Sequence, residues 1–163
     1  MAETLSVTDL LPNKFEPKRQ YRWVLAVEGI DSFLIKGAAR PSITLASDTI
    51  QYINSYRKIG GRVTFGGMNI TLHDPIAPSG AQQVMEWVRT HYESVSGRAG
   101  YIDFYKRDIQ IKLLDPVGTV IELWDVKGAF LTSANFNQLS YGGGEAPMEI
   151  SLGIEFDNCV LQF

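Results

Sequence analysis

His73 is followed directly by Asp74, the one adjacent histidine–carboxylate pair in the chain. Such a pair does general-base work only beside a nucleophile within hydrogen-bond reach. Here an alternating stretch runs straight into Pro75, the pattern of a strand end entering a turn. His91 lies next to the apolar stripe of an expected helix and reads as a packing or rim residue. Two isolated histidines and one cysteine, Cys159, do not form the clustered ligand set of a zinc site. A single cysteine also excludes an intramolecular disulfide, and Cys159 reads as a small, partly buried apolar side chain. Gly142-Gly143-Gly144 invites a phosphate-loop reading. The lysine and hydroxyl of a P-loop do not follow it, and the next segment is strand-like, so it reads as a loop. Glu149, Glu155 and Asp157 could supply paired carboxylates, yet their spacing places them together on a wet strand face. The expectation is no catalytic residue, no metal site and no cofactor.

The carboxylates belong to the most regular segment of the chain, Pro147–Asp157. Met148, Ile150, Leu152, Ile154 and Phe156 take every second position, and Glu149, Ser151, Gly153, Glu155 and Asp157 fill the gaps. Period two places the first set on a buried face and the second in water. Fully extended, the run reaches about 35 Å, against a diameter of about 40 Å for a compact domain of this length. A strand that nearly crosses its domain, wet on one side, belongs to a wall.

The elements around it are mostly β. Tyr21–Glu28 predicts a first strand with Tyr21, Trp23, Leu25 and Val27 on one face, a turn at Gly29-Ile30-Asp31 and a short return strand over Ser32–Lys36. Gly37–Gly61 is a long excursion that Pro41 interrupts. Its residues Ile50, Tyr52, Ile53 and Tyr56 argue against disorder, and excursions of this length in compact domains are usually functional. A strand resumes over Arg62–His73, where Gly66-Gly67 predicts a bulge or a close backbone approach. Ser79-Gly-Ala-Gln82 has capping-box spacing. Val84, Trp87, Val88, Tyr92 and Val95 then form a helical stripe, and Gly97 sits where a helix stop is expected. The expected helix has about four turns and packs on the terminal strand through Trp87. Asp115-Pro-Val-Gly118 predicts a type I turn between strands at Asp108–Leu114 and Thr119–Lys127. The expected fold is mainly β with one helix (α+β): two packed antiparallel sheets forming a small sandwich or barrel. An extended arm over residues 1–19 precedes a single domain over 20–163, and there is no internal repeat.

The chain has 163 residues, with 45% apolar and 20% charged side chains, enough for one domain with a core. No apolar run approaches the roughly 20 residues of a membrane-crossing helix. Residues Met1–Leu10 lack the basic start and apolar block of a signal peptide, so the expectation is synthesis and retention in a cytoplasm. Net charge is −3 and the pI about 5.4, and nothing forms the basic patch of a tight nucleic-acid binder. Lys14, Lys18, Arg19 and Arg22, the densest basic cluster, read as part of a solvated arm. Long strands without evident cover leave free edges, and pairing them with the next subunit of a closed ring removes the edge.

Taken together, these segments resemble the tail tube proteins of contractile-tailed bacteriophages, the myovirus tail tube family. Four features carry the resemblance. They are the opening Tyr21–Gly37 with its return; the basic, glycine-ended Tyr56-Arg-Lys-Ile-Gly-Gly-Arg62 leading into Met68–Leu72; the helix with Trp87; and the late hairpin with its alternating terminal strand. The resemblance runs from about Arg19 to the end. It implies a non-enzymatic structural protein whose hexameric rings stack into a hollow tube, with strands joining an inter-subunit inner β-barrel. The implied partners are other copies of itself, a tail sheath protein, baseplate or tube-initiator proteins and tail-terminator proteins. DNA would pass through without tight binding and without membrane insertion, and the protein would reside in the virion after assembly in a host cytoplasm. By position, Ile50, Tyr52, Ile53, Tyr56, Arg57 and Lys58 correspond to a ring-stacking loop, while Glu149, Ser151, Glu155 and Asp157 are the expected lumen face. Three alternatives stand beside this. One is the tube of a related machine, pyocin-type or type VI secretion. Another is a baseplate or tube-terminating protein, which the short chain argues against because caps are expected to carry extra domains. The last is a small β-rich binding domain or enzyme.

Overall fold

The alternating terminal segment sits at the middle of the fold. The computed structural model describes residues 15–162. Its strands are β1 (Trp23–Val27), β2 (Ile35–Ala38), β3 (Ser42–Tyr52), β4 (Ser55–Gly66), β5 (Met68–His73), β6 (Arg107–Leu114), β7 (Val120–Asn135), β8 (Glu149–Glu155) and β9 (Asn158–Gln162). The helix α1 is Gly80–His91, and a single turn, α2, is Ile102–Tyr105. Seven strands form one folded antiparallel sheet in the order β1-β6-β7-β8-β5-β2, with β9 also paired to β7. β3 and β4 form a separate two-stranded ribbon.

β7 joins the two layers. Its first half pairs with β6 and β9, and its second half pairs with β8. Between them Gly128 has φ +67°, and a Cβ there would collide with the Asp157 carboxylate. Only glycine suits both conditions. One layer contributes Leu25, Val27, Ile109, Ile111, Val126 and Cys159 to the core, and the other contributes Met68, Ile70, Leu72, Ile150, Leu152 and Ile154. Val84 and Trp87 of α1 join the same cluster. Each such aliphatic side chain, fully buried, is worth about 1.5–3 kcal/mol.

Ile150, Leu152, Ile154 and Phe156 are buried as the alternation predicts, and Met148 is half-buried. The strand is shorter than expected. β8 ends at Glu155 because the Asp157 amide donates to the Lys127 carbonyl and turns the chain into β9. Its length is about 24 Å, not 35 Å. Asp115-Pro-Val-Gly118 forms the predicted turn, with Gly118 donating to the Asp115 carbonyl at 3.2 Å. Gly67 makes the close approach its sequence suggests: a Cβ would lie 3.1 Å from the Ile154 carbonyl oxygen.

Three expectations need correction. Tyr21 precedes β1 and is exposed, so the first strand buries only Leu25 and Val27 fully. The return strand over Ser32–Lys36 is instead a 3-10 turn, Ser32–Leu34, followed by β2, which pairs with β5 rather than β1. The helix stops a turn early. Tyr92 is extended and bridges to Ala99, so Tyr92 and Val95 leave the stripe, and Val95 is 97% exposed. Gly97, φ +70°, serves that returning loop by donating to the Glu93 carbonyl.

Ile150→Ala is expected to destabilise the fold by about 2–5 kcal/mol in urea unfolding. Val95→Ser should stay within about 0.5 kcal/mol. A large loss at Val95 would restore the longer helix.

Candidate functional site: a projecting ribbon and a polar sheet face

The excursion is a β-hairpin of two long strands. β3 and β4 run antiparallel from Ser42 opposite Gly66 to Tyr52 opposite Ser55, with Ile53 at the tip. Every β3 residue is exposed, and β4 is exposed as far as Thr64. Only the base engages the body, where Phe65 packs against Phe156 at a tilt, ring centroids 5.8 Å apart. Ile50, Tyr52 and Tyr56 are 42%, 57% and 63% exposed, and Ile53 wholly so. Arg57 lies opposite Ile50 and Lys58 opposite Thr49. The six residues expected in a ring-stacking loop therefore share the outer half of one ribbon. Sequence reading missed four further exposed apolar residues on it, Ile43, Leu45, Ile59 and Val63. Their alternation was the available signal, hidden by a register shift between Leu45 and Ser47.

The outer face of β8 is polar. Ser151 lies opposite Thr71 and Asn135, Gly153 opposite Asn69 and Ser133, and Glu149 opposite His73. Ser151 and Glu155 are exposed, and Glu149 pairs with Lys36. The side chains are small where strands meet, and a Cβ on Gly153 would strike the Ser133 hydroxyl. Asp157 does not share this face. It lies in the β8–β9 turn, 2.6 Å from Lys106 Nζ.

A carboxylate on the core side of β7 was not anticipated. Glu122 is 5% exposed and bonds Lys18, Arg40 and the Trp124 indole nitrogen. Lys18 is exposed and ties its ammonium to this carboxylate. Burial pushes the Glu122 carboxyl up, but the hydrogen bonds from Lys18 and Trp124 and the nearby cations outweigh it, leaving it below the usual carboxylate range. The signal was there: Glu122 shares its parity with Trp124 and Val126.

The chemistry-bearing residues have structural partners. Asp74 accepts from the Ala81 amide at 3.0 Å and Ser79 Oγ from Gln82 at 3.3 Å, so together they cap α1. His91 stacks on Tyr105 at 4.2 Å. Burial pushes the Cys159 thiol up. Among the described residues, no group of three His, Cys, Asp or Glu side chains could hold a metal ion. None of their helices is long and apolar enough to cross a membrane.

No protein-family model and no curated protein matches the sequence. Solved structures do match the fold. A chain of the anti-feeding prophage (AFP) tube-terminating cap superposes with TM-score 0.74 at 17% identity, covering 97% of this chain and 99% of that one. A chain of the sheath–tube complex of PVC, an extracellular contractile injection system, gives 0.71 at 15%, covering 98% and 99%. Hcp1 from Flavobacterium johnsoniae gives 0.51 at 15%, covering 86% and 94%. The chain has the contractile-tube fold.

The Glu122 shift generates a pH prediction. A depressed folded pKa contributes stability above the unfolded value, about 4.3, and loses it as pH falls through the folded value. Glu122→Gln should cost about 1–2 kcal/mol at pH 7, since half-exposed partners are partly screened. It should also flatten the decline in stability below about pH 4. An unchanged acid slope would show that Glu122 is not the titrating group.

Proposed function

We propose that the chain is a non-enzymatic structural subunit of the hollow tube of a contractile machine, forming hexameric rings that stack. The β3–β4 ribbon carries this reading. It is two long strands of exposed apolar side chains that the body leaves uncovered, and exposed patches of that kind want a partner surface. In this reading Ile50, Tyr52, Ile53, Tyr56, Arg57 and Lys58 stack one ring on the next. A sheath surrounds the tube, with a baseplate or initiator and a terminator at its two ends. The polar face of β8, through Glu149, Ser151 and Glu155, lines the lumen. Asp157 drops out of that set because its ion pair lies in the turn. A wall whose described cation, Lys36, is paired with Glu149 lets a polyanion pass with little counterion-release binding, which suits DNA ejection from a phage tail into a host.

Two observations favour neighbouring readings. The AFP and PVC likenesses favour the tube of an extracellular injection particle with another cargo. The AFP cap likeness favours a subunit that closes the stack. A cap forms single rings, whereas a tube subunit polymerises.

Concentrated protein is expected to form rings or hollow tubes by light scattering and negative-stain microscopy. A monomer at every concentration would overturn the reading. Replacing Ile50, Tyr52, Ile53 and Tyr56 with serine should shorten tubes while shifting Tm by no more than a few degrees. A large fall in Tm with normal tubes would make the ribbon part of the core. Glu155→Lys should fold within about 0.5 kcal/mol of the parent, and its tubes should retain DNA that parent tubes release at the same salt. Equal retention would move this face out of the lumen.

A further inference from the structure

The ribbon is not apolar along one face. Its register divides it into two halves. At the base, Ile43 lies opposite Phe65 and Leu45 opposite Val63, so these four share one face. The other base face holds Thr44 opposite Thr64. The register then shifts, with Gly61 and Arg62 set against Ala46. A Cβ on Gly61 would lie 3.1 Å from the Ala46 Cβ, as expected of residues crowded on one side of a bulge. Beyond the bulge the faces exchange character. Ser47, Thr49, Gln51 and Lys58 continue the base's apolar face, joined by Tyr56, while Ile50, Tyr52 and Ile59 lie on the opposite one, flanked there by Asp48 and Arg57. The two apolar patches are about 20 Å apart along the ribbon.

We infer that the ribbon serves two different copies of this chain, one through each patch. The inference rests on the tube reading above and divides its interface in two. The base patch is continuous with the core through Phe65 and Phe156, so it lies beside the body, where a neighbour in the same ring covers it. The tip lies about 35 Å from the base, nearly a domain diameter away, and there it meets a copy in the next ring. Charge favours copies of this chain as the occupants. The ribbon holds Arg57, Lys58 and Arg62 against Asp48, a net +2 within a chain of net −3, which leaves −5 on the remainder. A basic ribbon and an acidic body attract one another across copies.

Two double variants test this. Leu45 and Val63 are 71% and 50% exposed, and Ile50 and Ile59 are each 42% exposed, so serine at either pair should leave the monomer folded by circular dichroism and Tm. Leu45→Ser with Val63→Ser should abolish rings and leave monomer. Ile50→Ser with Ile59→Ser should leave single rings and abolish stacked tubes. As a second readout, Leu45→Cys in the tip variant should be shielded from a maleimide in single rings, and Ile50→Cys in the parent only in tubes. Identical defects in both variants, a reversed pattern, normal tubes in both, or equal shielding of the two cysteines would overturn the division. The tube reading would survive as long as the parent assembles. A parent that stays monomeric would overturn both.

Discussion

The register of β5 against β8 governs the rest of the structure. Met68 lies opposite Ile154, Ile70 opposite Leu152 and Leu72 opposite Ile150, all in the core. A slip of one residue would bury Asn69, Thr71 and His73 and expose the aliphatics, so the hydrophobic effect fixes the pairing absolutely. The consequences run outward in both directions. β4 enters β5 through Gly67, where a Cβ would crowd the Ile154 carbonyl oxygen at 3.1 Å. The base of the ribbon is therefore placed by the core, although little of the ribbon touches the core. On the other side, β8 turns at Asp157 into β9, which covers β7 and closes the first layer.

Inside the body, polar demands are met. Glu122 has Lys18, Arg40 and Trp124, and Asp125 has Gln110 and Gln162. No buried side-chain nitrogen or oxygen among the described residues lacks a partner. Apolar demands are met less fully: eight large apolar side chains stand exposed on the ribbon, and others, Phe33, Ile76 and Phe104 among them, stand exposed on the body.

Sequence reading succeeded where one local rule dominated. Strict alternation announced the buried set Ile150, Leu152 and Ile154. Proline and glycine announced the Asp115–Gly118 turn, and Ser79 the start of α1. It failed where tertiary contacts overrode local pattern. Tyr92 and Val95 keep helical spacing, yet a bridge to Ala99 ends the helix first. Asp157 keeps the parity of Glu155, yet Lys127 and Lys106 draw it into a turn. The ribbon was visible as an excursion rich in aromatic and branched residues. Its strands were not, because a bulge breaks their period and no core faces them to make the period regular.

The ribbon's thermodynamics follow from its isolation. A two-stranded hairpin alone in water is marginally stable at best, and this one gains little from the body beyond Phe65. Its order is set by backbone pairing and by whatever covers its two patches. A copy that binds the ordered ribbon and not a frayed one stabilises it by mass action, so order and assembly rise together. In the tube reading proposed above, this coupling suits a polymer that must grow only where a ring already stands. Free subunits would there present two weak patches on a marginal ribbon and meet one another without lasting effect. At the end of a tube, many acceptor surfaces are held in register at once, and successive contacts become effectively intramolecular. Nucleation is then slow and elongation favourable, because each ribbon is ordered most strongly by an assembly that already exists.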